Sequence, residues 1–279
     1  MMSPVRAPLV LFAAFAAGLA PAPALAEVTL ACRFEAGMIV MPGEVAGIAG
    51  DYVLDTGTAH SVLHETRAET AGIVATELTG DIRIGGLILP GRPLRVADLD
   101  ARIWRLATPA GGIIGVDALR DFVVDVEFAP CRVRLWRPAE ARPALTGRTL
   151  PMTWDVGRPV VPAAVEDGAR RLEGLFVLAT GADAPARIAD DLASAPNAVR
   201  KSELYPDGVW LARLPRVEFA GAAGEDVAAG LTSPEGEAAG VLGGEVLSRF
   251  RLRFDFPAGL VTVAPPVLNE KGPRRAPRP

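Results

Sequence analysis

Apolar positions along this chain fall into short runs cut by glycine and proline, not into stripes of helical period. Asp51–Asp55 is an apolar run that stops at a Thr-Gly pair, the pattern of a buried strand ending in a turn. Ile82–Leu89 alternates, meets Gly85-Gly86 and resumes as Leu87-Ile88-Leu89, which predicts a hairpin. Val123–Phe128 and Arg132–Leu135 predict another about Ala129-Pro130. Only Val116–Phe122 and Glu245–Phe250, each after a glycine, read as short helices, with a helical turn or two at His60–Thr70 and Pro185–Ser194. The 29 glycines and 25 prolines are spread over the whole length; punctuation that frequent suits many short strands better than a helical bundle. The expected class is all-β.

The pattern occurs twice. Tyr52-Val53-Leu54-Asp55-Thr56-Gly57-Thr58 matches Phe176-Val177-Leu178-Ala179-Thr180-Gly181-Ala182 at an offset of 124. Gly111-Gly112-Ile113-Ile114-Gly115 matches Ala239-Gly240-Val241-Leu242-Gly243 at an offset of 128, and that offset persists through Phe122–Phe128 against Phe250–Phe256. Between these anchors, Ile82–Gly86 resembles Arg216–Gly221. Two copies therefore fill the chain, and a bilobal body follows. The Pro- and Arg-rich stretch Trp136–Thr153 is expected to join them.

The ends read differently. Met1–Arg6 carries the positive charge, Ala7–Ala20 is apolar, and Pro21–Ala26 closes on Ala24-Leu25-Ala26, the layout of a signal peptide over residues 1–26. The apolar run is too short to span a bilayer, so no stable membrane insertion is expected after cleavage. Asn269–Pro279 is polar and basic and is expected to be a flexible tail. The expected division is 27–150 for the first lobe, 151–268 for the second and 269–279 for the tail, in a periplasmic or secreted protein. The formal net charge of −4 argues against a nucleic-acid binder, and no phosphate-cradling glycine motif is present.

Val53-Leu54-Asp55-Thr56-Gly57-Thr58, Ile84-Gly85-Gly86 and Ile113-Ile114-Gly115, in that order, resemble the landmarks of the aspartic peptidases, the retropepsin-like branch most closely. The resemblance covers about Val28–Pro265. It implies a bilobal β-barrel fold and an exported endopeptidase that acts on peptide or protein substrates through an Asp-activated water, with no cofactor. In such a site two adjacent carboxylates share a proton, one acting as base and the other as acid. The resemblance makes Asp55 catalytic, with Thr56, Gly57, Thr58 and Gly115 supporting its loop and the hairpin at Gly85-Gly86 as a flap. Gly115 would let the chain pass under the Asp loop.

The second copy keeps Thr180 and Gly181 but has Ala179 in place of the acid and Ala182 in place of the hydroxyl residue. Three routes to a second acid remain: a homodimer joining two Asp55 lobes, Asp183 swinging in, or an acid from elsewhere. The competing reading is a pseudo-peptidase that kept the groove as a peptide- or protein-binding module. A monomer is expected, with the homodimer as its alternative. No metal is expected: His60 and His64 have helical ligand spacing, but no acid between them completes a zinc motif, and they read as surface or loop-packing residues. Asp51 and Asp117 read as turn and helix-start residues. A Cys32–Cys131 disulfide is expected, because both cysteines fall in the first copy of an exported chain, and Gly259 stands at the equivalent of Cys131.

Overall fold

The structure, a computed structural model, describes residues 27–168, 170–189, 199–205, 209–231 and 235–266. The leader expected over 1–26, the tail expected over 269–279 and the second half of the turn expected at Pro185–Ser194 lie outside the described residues.

The first copy forms β1 (Val28–Ala31), β2 (Arg33–Glu35), β3 (Met38–Val45), β4 (Ile48–Leu54), β5 (Ser61–His64), α1 (Glu65–Thr70), β6 (Glu77–Ile84), β7 (Leu87–Ala97), α2 (Asp100–Ile103), β8 (Gly112–Ile114), β9 (Val123–Phe128) and β10 (Cys131–Trp136). The second forms β11 (Arg148–Pro151), β12 (Thr153–Asp155), β13 (Arg158–Asp167), β14 (Arg170–Ala179), β15 (Ala186–Ile188), β16 (Val199–Tyr205), β17 (Val209–Phe219), β18 (Ala222–Leu231), β19 (Gly240–Gly243), α3 (Gly244–Leu247), β20 (Arg251–Asp255) and β21 (Leu260–Ala264).

Each copy closes a six-stranded barrel, which leaves no open edge in its wall. The first runs β3-β4-β8-β5-β7-β6 and returns to β3 through Val45 opposite Ile82. The second runs β13-β14-β19-β15-β18-β17 and returns to β13. A third sheet, β1-β10-β9-β20-β21-β11, draws strands from both copies. One apolar core is continuous through all three, from Leu54 and Ile82 through Val126 and Phe254 to Phe176 and Leu242. The architecture is the all-β bilobal fold expected from the repeat. Among the described residues, no helix is long and apolar enough to cross a membrane.

Tertiary pairing overrides several local expectations. The first half of His60–Thr70 is not helical: β5 is needed to close the barrel between β7 and β8, and only Glu65–Thr70 coils. Ala186–Ile188 is likewise strand, held between β18 and β19. Val116–Ala118 makes one 3-10 turn and Gly244–Leu247 one α turn, both shorter than expected. The joining segment is also shorter than Trp136–Thr153. Trp136 ends β10, β11 pairs with β21 and β12 with β13, so the link is 137–147. The boundary at 150/151 falls inside β11, which stands to β21 as β1 stands to β10. The second copy therefore starts at Arg148.

The two copies meet on complementary charge. Asp125 of β9 lies opposite Arg253 of β20, its counterpart in the repeat, and Arg253 donates to both carboxylate oxygens at 2.6 and 2.7 Å. That bidentate contact raises the Arg253 pKa. Two first copies docked the same way would set Asp125 against Asp125, a repulsive pair, which weighs against the homodimer route. Cys32, just beyond β1, is bonded to Cys131 at the start of β10, with Cα atoms 5.3 Å apart. The bond ties the edge strand β1 to its one neighbour in the shared sheet.

Candidate functional site

β4 and β14 end in the two Thr-Gly loops, which interlock through their threonines. Thr56 Oγ1 donates to Leu178 O at 2.6 Å, and Thr180 Oγ1 donates to Leu54 O at 2.8 Å. Each hydroxyl also accepts the other threonine's N–H, at 3.1 and 3.3 Å. Both side chains are wholly buried. Gly57 and Gly181 are required by proximity: a Cβ on Gly57 would strike Ala179, and one on Gly181 would strike Asp55 and Val53. Replacing Thr56 or Thr180 by valine strands a buried carbonyl and a buried N–H. Each substitution is expected to cost about 2 kcal/mol in urea unfolding. Losses under about 0.5 kcal/mol in both would mean that the loops hold without these hydroxyls.

Asp55 is 1% exposed and collects donors from both loops. Its Oδ1 accepts Gly57 N–H at 2.8 Å and Gly181 N–H at 3.1 Å. Gly181 stands to Ala179 as Gly57 stands to Asp55, so the amide that would serve a second acid serves the single one. Oδ2 accepts Thr58 Oγ1 at 2.7 Å and Arg102 Nη2 at 2.9 Å. The same Nη2 donates to Gly181 O at 3.2 Å. The partner of Asp55 is thus a guanidinium, and all four groups around the carboxylate are donors.

Arg102 comes from a strap that the repeat does not contain. Fourteen residues join β7 to β8 in the first copy, and eight join β18 to β19 in the second. The longer segment carries α2. Leu99, Ile103 and Leu106 pack on Met38, Val40, Val53 and Ile113 and bury the cleft-facing wall of the first barrel. At its start Asp98 accepts Asp100 N–H at 2.8 Å, and Asp100 Oδ1 meets His64 Nε2 at 3.0 Å. Further on, Arg105 donates to Asp183 O at 3.0 Å, and Glu35 accepts Ala107 N–H at 2.6 Å. The strap so crosses from its own lobe to the loop of the other. His64, Asp98 and Asp100 could offer three ligand atoms to a cation, but both aspartates are exposed, and the hydrogen bonds they make anchor α2.

The remaining candidates separate. Gly115 runs against the Asp55 loop: a Cβ there would strike Thr58 O, and Val116 N–H donates to that carbonyl at 2.9 Å. Asp117, buried, accepts Ser61 N–H and Oγ–H, and so fixes the strand that follows the loop. The hairpin at Gly85-Gly86 does not cover the site. A Cβ on Gly85 would strike Leu30 and crowd Val28 of β1, and neither Gly85 nor Gly86 lines the cleft around Asp55. The tip lies against the shared sheet, so it is no flap. His60 is exposed and His64 buried; four positions apart along extended chain, they do not converge. Asp183 is 1% exposed and bound to Arg187 at 2.5 Å, and it is not among the contacts of Asp55.

A cleft of about 340 Å³ opens between the lobes above Asp55. Arg95, Arg102, Arg158 and Arg187 line it with His60, and its acids among the described residues are Asp55 and Glu235. Arg158 is buried and donates to Asp155 at 3.3 Å and to Glu235 O. The backbone N–H of Glu237, followed by that of Ala238 and the charge of Arg158, holds the Asp155 carboxyl below the usual carboxylate range against the opposing effect of burial. A larger groove of about 700 Å³ over the second lobe, between Arg148 and Glu173, touches neither Thr-Gly loop.

No family model matches the chain, and no curated protein sequence does. Its fold is similar to that of a solved structure, the aspartic proteinase from Irpex lacteus, with a TM-score of 0.53 at 14% identity. The match covers 88% of this chain and 99% of that one. At that identity the likeness extends to the fold alone.

Proposed function

We propose that this protein holds peptide or protein segments in the cleft between its lobes and does not cut them. The carrying observation is the surroundings of Asp55: Arg102 bonded to it, Ala179 opposite, and, among the described residues, no second carboxylate in contact with it. Hydrolysis by an Asp-activated water needs a base for the water and an acid for the carbonyl or the leaving amine. Both oxygens of Asp55 are already engaged, so a water must displace a donor to reach it. Arg102 keeps its proton at any working pH and cannot serve as the acid. Asp183 is spent on Arg187, and the homodimer route meets the repulsion at Asp125. A groove that has lost its acid still offers buried contacts and backbone groups to an extended chain. Export to an oxidising compartment, the periplasm or the exterior, belongs to the same proposal, and the Cys32–Cys131 bond supports it.

The test is a diverse peptide library offered to the purified protein from acid to neutral pH, read both for cleavage and for saturable binding. Binding without cleavage is expected. Ala179→Asp is also expected to stay inactive, because Arg102 remains in place to pair with either carboxylate. Cleavage by the wild type that vanishes in Asp55→Asn would return the protein to the peptidases.

A further inference from the structure

The repeat gives the cleft two equivalent halves. Val40 and Val160 correspond, since each lies opposite the matched valine of its own copy, Val53 or Val177. Gly37 and Gly157, three positions earlier, sit in the matching hairpin turns, with φ of 84° and 79°. Gly37 faces Ala182 and Glu245 of the second lobe, and Gly157 faces Ala59 of the first. One half of the cleft therefore lies between the Gly37 turn and the Ala182-Asp183 loop. The other lies between the Gly157 turn and the Ala59-His60 loop, with Asp55 and Ala179 at the junction.

The strap fills the first half. Its Leu99, Ile103 and Leu106 cover Met38, Val40, Val53 and Ile113 on one wall. On the other, its Arg105 reaches Asp183 O at 3.0 Å and Glu245 at 3.9 Å. Glu35, Gly37, Arg105, Asp183 and Glu245 mark that half, and none of them lines the cleft above Asp55. The second half is different. The second copy joins β18 to β19 with eight residues against fourteen, and Val241, the counterpart of Ile113, lines the cleft with Val62, Ala59, Arg158 and Glu235. The opening continues from there. A groove of about 350 Å³ takes up His60 and Arg95 again and runs over β6 and β7 along Glu77, Thr79 and Pro93. From Asp55 the track thus leads outward in one direction and ends on the strap in the other.

We infer that the cleft holds the end of a peptide chain and not its middle. The terminal residues enter beside Asp55 and stop against the strap, and the rest of the chain leaves past His60 and Arg95 over β6 and β7. A segment bound by its middle needs both halves. To clear the first, the strap must give up its packing on the barrel, the Asp55–Arg102 pair and the Arg105 contact together. Binding that waits on so rare an opening is weakened by the fraction of time the opening exists. The inference rests on the peptide-binding reading above and says which part of a peptide that reading applies to. It asks for no charge in the ligand: Arg102, Arg158 and Arg187 pair with Asp55, Asp155 and Asp183, and Glu235 offsets Arg95.

Three pools of resin-bound random hexapeptides test it on the full chain: one with free N-termini, one with free C-termini, and one flanked on each side by about ten Gly and Ser residues. One of the end pools should retain at least about tenfold more protein than the interior pool, and which one names the end that enters. Peptides selected from it should slow hydrogen exchange at 59–64 and 94–97 and leave 35–38 unchanged. Replacing Asp98–Pro109 by a short Gly-Ser link should raise the interior pool to the level of the end pool; where that variant does not fold, the exchange pattern of the wild type decides. Equal retention of interior and end pools by the wild type, protection that spreads to 35–38, or an interior pool unmoved in the folded strap variant sinks this inference and leaves the peptide-binding reading standing. No retention in any pool sinks both.

Discussion

Removing the Cys32–Cys131 bond is expected to lower stability by about 4 kcal/mol and the melting temperature by about 10 °C. The bond closes a loop of 99 positions, nearly all of the first copy. Chain-entropy reasoning assigns such a loop about 4.7 kcal/mol, and residual structure in the unfolded chain trims that figure. The place of the bond sharpens the expectation. β1 is an edge strand with β10 as its one partner, and its core contribution rests on Leu30. Without the bond β1 can peel away, exposing Leu30 and the Gly85 turn packed against it. The equivalent edge, β11, has no disulfide, yet a folded link precedes it, so the two edges should respond differently. The measurement is denaturant unfolding of the oxidised protein, the reduced protein and the Cys32→Ala/Cys131→Ala double variant, with hydrogen exchange on β1 and β11. Reduced and double-variant proteins should coincide, and protection should fall first in β1. Unchanged unfolding after reduction would show that the sheet pairing of β1 suffices alone.

What could be read from the chain depended on whether the signal was local. The interlock of Thr56 with Thr180 was legible, because each loop writes itself in a four-residue pattern and the pattern recurs. Ala179 stood out for the same reason: a repeat exposes its own exceptions. Arg102 was hidden because it sits in sequence with no counterpart in the other copy, and its reach to Asp55 depends on how the strap folds. The trace it leaves is one of length. Gly86 to Gly115 is 29 positions, while Gly221 to Gly243 is 22, and the excess in the first copy is the strap. The flap assignment failed differently. Gly85-Gly86 does mark a turn, but packing decides what a turn covers, and the approach of Gly85 to Leu30 and Val28 seats it on the shared sheet. β5 was read as helix because four residues beside a true helix carry too little period to separate the two.

Asp55→Asn is expected to destabilise the protein by about 3 kcal/mol, a consequence opposite to that of the same change in a working acid pair. There, an isosteric amide removes turnover and spares the fold. Here the neighbours are Gly57 N–H, Gly181 N–H, Thr58 Oγ–H and Arg102 Nη2–H, donors on every side. An amide must point its NH2 at one pair of them. Thr58 can rotate its hydroxyl to accept; Arg102 and the two backbone amides cannot. The substitution also leaves Arg102 without its counter-ion. Breaking a buried ion pair costs about 3–5 kcal/mol, and the lower end applies because the Arg102 side chain is 35% exposed to water. Arg102→Leu should cost less, about 1.5 kcal/mol, since three donors still surround the anion. The Asp55→Asn/Arg102→Leu double variant should lose clearly less than the sum of the two, because both singles break the same contact. A double-mutant cycle in urea, with peptide binding measured alongside, separates the two roles of the pair. A coupling of about 1 kcal/mol or more makes Asp55 the tie between lobe and strap. Strict additivity, with Asp55→Asn as stable as wild type, would mean that the carboxylate does not tie them, and the search for chemistry at Asp55 would reopen.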